Sequence, residues 1–539
     1  MTLPPTTKVD ALFSEWDRPD SPGFAVAIIK DGEIVYKQGY GIANLEHDIP
    51  ISSRSVFDIG STSKQFTAAC VALLARQGKL TLDDEIQEYI SEMPRYEHPI
   101  TIRHLIHHTS GIREYLTLMH LVGMRFENEY SDDEIIHLIA RQKELNFTPG
   151  DAFLYSNSGY LLLAEIVKRV SGTSLRAFAD EHIFTPLGMK ATHFHDDFTM
   201  IVKDRATGYA PRDEESFQID VSLFDVVGDG CIYTTVEDLY RWDQNFYHNT
   251  LAGQGQDFIE EIITPGALNS GESLDYAFGL FTGQYRGLKM LSHGGAWAGY
   301  RAEMLRFPEQ HFSVICLSNL GSTNPTRLAK QIADIYLASE FTEQKKERKR
   351  SEVQFVTIPS TELTGKAGYY RSMETGIVCE LFVQDGTLMM EALGILSSIA
   401  PTSSDHFVVV DIPFQVDIAF EKLSSDESFQ MSVCIEGGET DVYQQLNAVS
   451  LSSEQLQDFV GAYHCEELDT TYHIIVEDGK LLLQRRNAPQ ETLKPITQEL
   501  LKSTYVMFHF VRDEHNQITG FTLTEQRIKN LRFTKDLSM

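Results

Sequence analysis

Six residues of the C-terminal third, Leu363, Gly368, Val383, Asp385, Gly386 and Leu388, recur as Leu456, Gly461, Val476, Asp478, Gly479 and Leu481, each displaced by 93 residues. A constant offset over six positions implies one structural unit built twice in tandem. Val383-Gln384-Asp385-Gly386-Thr387-Leu388 and Val476-Glu477-Asp478-Gly479-Lys480-Leu481 each set an Asp-Gly pair between strand-forming runs, the pattern of a two-residue hairpin. Alternating short strands in units of this length predict two small antiparallel β-barrels, at 356–448 and 449–539. Before them, Gln344-Lys345-Lys346-Glu347-Arg348-Lys349-Arg350-Ser351 has no apolar residue and predicts a solvated linker over 342–355 rather than a nucleic-acid tail.

Residues 1–341 are long enough to hold a large core of their own. Gly23-Phe24-Ala25-Val26-Ala27-Ile28-Ile29 and Glu33-Ile34-Val35-Tyr36 flank an Asp31-Gly32 turn and predict a hairpin. Met304–Phe307 and Phe312–Leu317 predict another, turning at Pro308-Glu309-Gln310-His311, whereas Leu161–Val170 and the stretch after Ser61 are helical in character. The expected fold is α/β (α+β): an antiparallel sheet drawn from both ends of the domain, with helices between.

Within that domain lies Gly60-Ser61-Thr62-Ser63-Lys64. A serine three residues before a lysine at a helix start shares a helix face with it. Lys64, if desolvated, can take the Ser61 hydroxyl proton, and the serine's own N–H at the positive helix end can hold an oxyanion. Taken alone the run also reads as an N-capping serine beside a solvated lysine. Tyr155-Ser156-Asn157 supplies a tyrosine able to shuttle a proton and an asparagine able to bond both lysine and substrate, or else a buried tyrosine before a capped helix. Leu291-Ser292-His293-Gly294-Gly295-Ala296-Trp297 reads as a strand whose glycines admit a ligand backbone, or as a plain turn.

Ser-x-x-Lys, Tyr-x-Asn and His-Gly-Gly in this order resemble the penicillin-recognising serine hydrolases: class C β-lactamases, D-alanyl-D-alanine carboxypeptidases, D-aminopeptidases and related esterases. Thr101–Ile112, Pro186–Met189 and Gly228–Leu239 look like scaffold segments of that superfamily. The resemblance implies Ser61 as nucleophile, Lys64 and Tyr155 as the proton-transfer pair and Asn157 as the orienting amide. It further implies His293 and Gly295 as the third motif, and an oxyanion hole from the N–H groups of Ser61 and Ala296. Penicillin-binding members usually carry lysine where this chain has His293, and histidine is less reliably cationic. The His-Gly-Gly form, followed by two lipocalin-like barrels, resembles the D-aminopeptidases. That implies an exopeptidase or amidase acting on short peptides containing D-amino acids; the alternatives are a carboxylesterase, a carboxypeptidase or β-lactamase-like hydrolase, and a non-catalytic binding protein on the same fold.

The net charge of −31 argues against nucleic acid and anionic membranes as partners and favours cationic ligands. A small peptide, amide or ester is the expected partner, with a homodimer open. Six scattered cysteines have no metal-ligand spacing and suggest free thiols, and no leader-like segment or long apolar run occurs, so a cytoplasmic location is expected. His104, His107 and His108 share helical spacing but lack further ligands, and packed or capping roles are expected of them. Trp297, Tyr300 and Tyr160 are equally candidates for pocket lining and for core. No phosphate loop or dinucleotide signature is found, and no cofactor or metal is expected.

Overall fold

The computed structural model describes residues 4–213, 216–253, 255–342, 355–373, 375–392, 395–410, 416–423, 428–435, 440–504 and 506–536. The charged run 344–351 lies outside them. The chain divides into two compact units, residues 1–120 with 124–345, and residues 121–123 with 346–539.

The first unit is organised by a six-stranded antiparallel sheet in the spatial order 281–285, 288–297, 300–307, 312–318, 24–30, 33–40. Its last four strands in sequence thus join its first two, as the two hydrophobic hairpins predict, and Phe24–Lys30 pairs with both Phe312–Ser318 and Glu33–Tyr40. Phe24–Ile29 is buried at every position because helices cover both faces of the sheet. On one face Val9 and Phe13 of the first helix and Leu328, Ala329 and Ile332 of the helix Pro325–Tyr336 pack on Phe24, Val26 and Ile28. The predicted turn at Pro308 is a short 3-10 helix, Pro308–Gln310, closed by His311 in the left-handed region.

The second unit contains two closed eight-stranded barrels, 368–446 and 461–535, each with strands in sequential order. In the first, Gly368–Ser372 closes on Thr440–Leu446; in the second, Gly461–Cys465 closes on Ile528–Lys535. The duplication is preserved down to register: Val383 faces Leu388 and, 93 residues on, Val476 faces Leu481. Asp385 and Gly386, like Asp478 and Gly479, have φ between 50° and 78°, the paired left-handed turn that lets a right-twisted hairpin close in two residues. The Tyr370 hydroxyl donates to Lys366 O and the Tyr463 hydroxyl to Phe459 O, a further pair at the same offset that ties a short preceding helix to the first strand of each barrel.

In the first unit an ion pair crosses from sheet to helix: Arg306 Nε donates to Asp243 Oδ1 at 2.8 Å, the Ser313 hydroxyl donates to the same oxygen, and both charged side chains are almost wholly buried. Removing one partner strands the other charge in a dry interior. Asp243→Ala is therefore expected to destabilise the first unit by about 3–5 kcal/mol. All three tryptophans (Trp16, Trp242, Trp297) belong to that unit. Urea unfolding followed by their fluorescence reads it directly, and a loss below about 1 kcal/mol would show the pair to be energetically idle.

Candidate active site

Phe57-Asp58 ends a short strand, and the chain then turns at Gly60, φ 48°, into a 3-10 turn, Gly60–Ser63, which continues as the helix Lys64–Arg76. Ser61 makes no capping bond at this helix start, and Lys64 is not solvated: its relative exposure is 0 %. The ammonium donates to Ser61 Oγ at 3.1 Å, to Asn157 Oδ1 at 2.8 Å and to the backbone carbonyl of Asp229 at 2.6 Å. It also stands 4.9 Å from the ring centroid of Tyr155 and 5.5 Å from that of Tyr160. Asn157 is the first residue of the helix Asn157–Ser171, which Ser156 caps by accepting from Gly159 N, so the cap fixes where the amide points.

The third predicted run lies in the strand Leu288–Trp297, laid directly on the serine turn. The Thr62 hydroxyl donates to His293 O at 3.0 Å. A methyl group at Gly295 would lie 1.8 Å from Ile59 O, and one at Gly60 would lie 2.7 Å from Ala296 N, so the approach requires glycine at both positions. Ser61, Asn157 and Ala296 line a common cavity of about 60 Å³. His293 is buried with its ring near Tyr155 and Phe281. Its Nδ1 meets the Gly294 carbonyl at 2.7 Å and its Nε2 meets the Tyr276 hydroxyl at 3.1 Å. Since a carbonyl only accepts, Nδ1 carries the proton and Nε2 accepts from Tyr276. Burial, reinforced by Lys64, pushes His293 down to about 3, so the ring is neutral.

Residues 9–338 match the Beta-lactamase family. The chain belongs to that family. This beta-lactamase-family chain is 31% identical over 310 residues to "Penicillin-binding protein 4*" of Bacillus subtilis (strain 168), covering 54% of this chain and 67% of that protein. It is 26% identical over 461 residues to a D-aminopeptidase of Brucella anthropi, covering 85% of this chain and 82% of that protein. The second alignment is too long to stop at the catalytic domain and so extends into the barrels. Among solved structures, the octameric penicillin-binding protein homologue from Pyrococcus abyssi shares the fold at a TM-score of 0.57 and 24% identity, covering 81% of this chain and 99% of that one. The family is one of serine hydrolases, with D-aminopeptidases and penicillin-binding proteins among this chain's relatives.

All seven residues singled out from sequence, Ser61, Lys64, Tyr155, Asn157, His293, Gly295 and Ala296, fall in this one neighbourhood. The three clustered histidines each have a scaffold partner: His104 Nδ1 accepts from Thr101 N in a capping box, His107 Nδ1 meets Tyr276 O, and His108 Nδ1 accepts from Ser156 N. Of the three aromatics, Trp297 lines the cavity, whereas Tyr300 and Tyr160 are buried and donate to Ala206 O and Ile106 O. Sequence reasoning missed Tyr276, Tyr115, Asp58 and Asp229. Asp229 had a signal, since it sits between two glycines in Gly228-Asp229-Gly230, and a methyl group at Gly228 would lie 2.6 Å from Ala164 Cβ. Such closeness marks a backbone pressed against a helix. Tyr276 had none, standing alone in an unpatterned stretch.

Two buried carboxyl groups flank the serine turn. Asp58 accepts from Gly60 N at 2.8 Å, and burial, with the nearby Asp229 adding to it, raises Asp58 to about 7. An acid whose folded pKa exceeds its unfolded value stabilises the fold below the unfolded pKa and loses that contribution as pH rises to the folded one. Asp58 thus makes stability fall between about pH 4 and pH 7. In Asp58→Asn the side-chain oxygen still accepts from Gly60 N without a charge, so the decline is expected to flatten by on the order of 3 kcal/mol. Urea titrations at pH 4, 5.5 and 7 would check this, and parallel curves for the two proteins would refute it.

Gly295→Ala is expected to lift the third strand off the serine turn. Reaction of Ser61 with a fluorophosphonate should slow by about a hundredfold while near-ultraviolet dichroism stays native, because a displacement of about 1 Å is enough to misalign reacting groups. Unchanged labelling would mean the strand does not shape the surroundings of Ser61.

Proposed function

We propose that Ser61 is an acylated nucleophile and that the protein is a D-aminopeptidase-like exopeptidase or amidase acting on short peptides containing D-amino acids. One observation carries the reading: two of the three directions around the Lys64 nitrogen end on acceptor-only oxygens, Asn157 Oδ1 and Asp229 O, and the third ends on Ser61 Oγ. On giving up one proton, Lys64 keeps its two remaining N–H bonds on those acceptors and turns the freed lone pair to the Ser61 hydroxyl. In acylation the Ser61 proton passes to Lys64 while Oγ attacks the substrate carbonyl carbon. The N–H groups of Ser61 and Ala296 receive the developing oxyanion. The bond to the leaving amine then breaks as that nitrogen takes up a proton, with the Tyr155 hydroxyl as the shuttle. Water attacks the ester in the second half by the same route reversed, releasing the acid and restoring Ser61.

The neutral His293 bears on substrate class. A carboxypeptidase or β-lactamase must hold a substrate carboxylate, which favours a fixed cation at this point of the site, and a histidine held near 3 supplies none at neutral pH. The same observation supports an esterase as the second reading, since a neutral ester needs no cation there. The similarity to a D-aminopeptidase over both catalytic and barrel regions supports the first.

Ser61→Ala is expected to abolish turnover of D-aminoacyl p-nitroanilides and p-nitrophenyl esters and to remove fluorophosphonate labelling, with folding unchanged. Retention of more than about a tenth of the activity would take Ser61 out of the mechanism. Absence of labelling in the unaltered protein would favour a binding protein.

A further inference from the structure

The cavity beside Ser61 has apolar walls from Leu116, Phe224, Val226 and Trp297, and among its lining residues Asp229 alone is charged. The Asp229 side chain is separate from its backbone carbonyl, which already serves Lys64. Its carboxylate oxygens accept from the Tyr115 hydroxyl at 3.3 and 3.2 Å, which leaves most of a carboxylate's acceptor directions open. Among the described residues no Lys, Arg or His nitrogen forms an ion pair with it. A carboxylate held out of water without a bonded cation is costly. An arriving cation relieves that cost.

We propose that Asp229, steadied by Tyr115, receives the α-ammonium group of the residue that acylates Ser61, making the cavity a subsite for small aminoacyl groups. The inference rests on the acyl-enzyme reading of Ser61. It specifies which end of the substrate is recognised and by what. The α-nitrogen lies only two bonds from the carbonyl carbon under attack, so an acid that recognises it must share the nucleophile's own cavity, as Asp229 does. Burial is the largest influence on Asp229 and raises it to about 6, still mostly ionised at neutral pH; Lys64 favours its ionised form, Glu114 opposes it, and Asp58 is a further carboxyl group close enough to interact with it. Glu114 is itself buried beside Tyr115 in sequence, with Oε2 accepting from Thr117 N, and it adds to the negative potential that draws a cation in. Phe224 and Trp297 add aromatic lining that suits the apolar part of a small aminoacyl group. At about 60 Å³ the cavity is far smaller than the several hundred cubic ångströms of a pocket for a drug-sized ligand, and it suits glycyl or alanyl better than an aromatic residue.

The test compares glycyl and D-alanyl p-nitroanilides with their uncharged counterparts, acetyl and propionyl p-nitroanilide, alongside fluorophosphonate labelling of Ser61. The unaltered enzyme should favour the aminoacyl member of each pair in kcat/KM by about tenfold or more, and Asp229→Asn should erase the preference mainly through KM. Equal losses on both members in Asp229→Asn would overturn the proposal, for they would mean that the carboxylate acts on Lys64. A preference for the uncharged member by an enzyme that labels at Ser61 would also overturn it while leaving the acyl-enzyme reading intact; no labelling would overturn both. A second measurement needs no variant: D-alaninamide should protect Ser61 of the unaltered enzyme from the fluorophosphonate at lower concentration than propionamide. Equal protection would refute recognition of the amine.

Discussion

The burial of Lys64 is the constraint around which the catalytic unit is arranged. An ammonium taken wholly out of water is tolerated only where oxygen acceptors replace its hydration. Three do so, and each comes from a different part of the chain: Ser61 from the same turn, Asn157 from the cap of a second helix and the Asp229 carbonyl from a glycine-flanked loop. The tyrosine rings of Tyr155 and Tyr160 complete the surroundings. Satisfying one charge thus requires that segments about a hundred residues apart in sequence be fixed within a few tenths of an ångström. Ser61 is positioned as a by-product of that satisfaction.

A second constraint is steric. The strand Leu288–Trp297 can lie on the serine turn only because Gly60 and Gly295 have no side chain, and the contact is held by Thr62 donating to His293 O. The rigidity behind it comes from the sheet, whose outer layer is pinned through Asp243, Arg306 and Ser313. Local charge is shaped by the same packing. His293 is neutral because it is buried beside Lys64, and Asp58 is held close to neutrality because it is buried beside another carboxyl group.

Much of this was legible in the residues. The tandem offset of 93 located both barrels because hairpin turns and strand register are local properties, written in Asp-Gly pairs and alternating apolar positions. The candidate site residues were legible because each lies in a short run, at a helix start or in a glycine-bearing strand, whose spacing can be read locally. Tyr115 and Tyr276 escaped because a single tyrosine has no spacing to read, and the glycines flanking Asp229 mark a close backbone approach without saying what its carboxylate faces. Their significance lies in distances to Lys64, Ser61 and His293, which are set by chain segments far apart in sequence.

The sequence by itself determined the duplicated barrels and the sheet drawn from both ends of the first unit, and it brought Ser61, Lys64, Tyr155, Asn157 and His293 forward as candidates, since each rests on local periodicity, turn chemistry or short motifs. Only the tertiary structure decided that Lys64 is dry rather than solvated, that His293 is neutral rather than cationic, and that the one charged lining residue of the cavity is an acid. The reason is that protonation state and hydrogen-bond partnership depend on burial and on atoms brought together across the fold, and neither is encoded in any one stretch of chain.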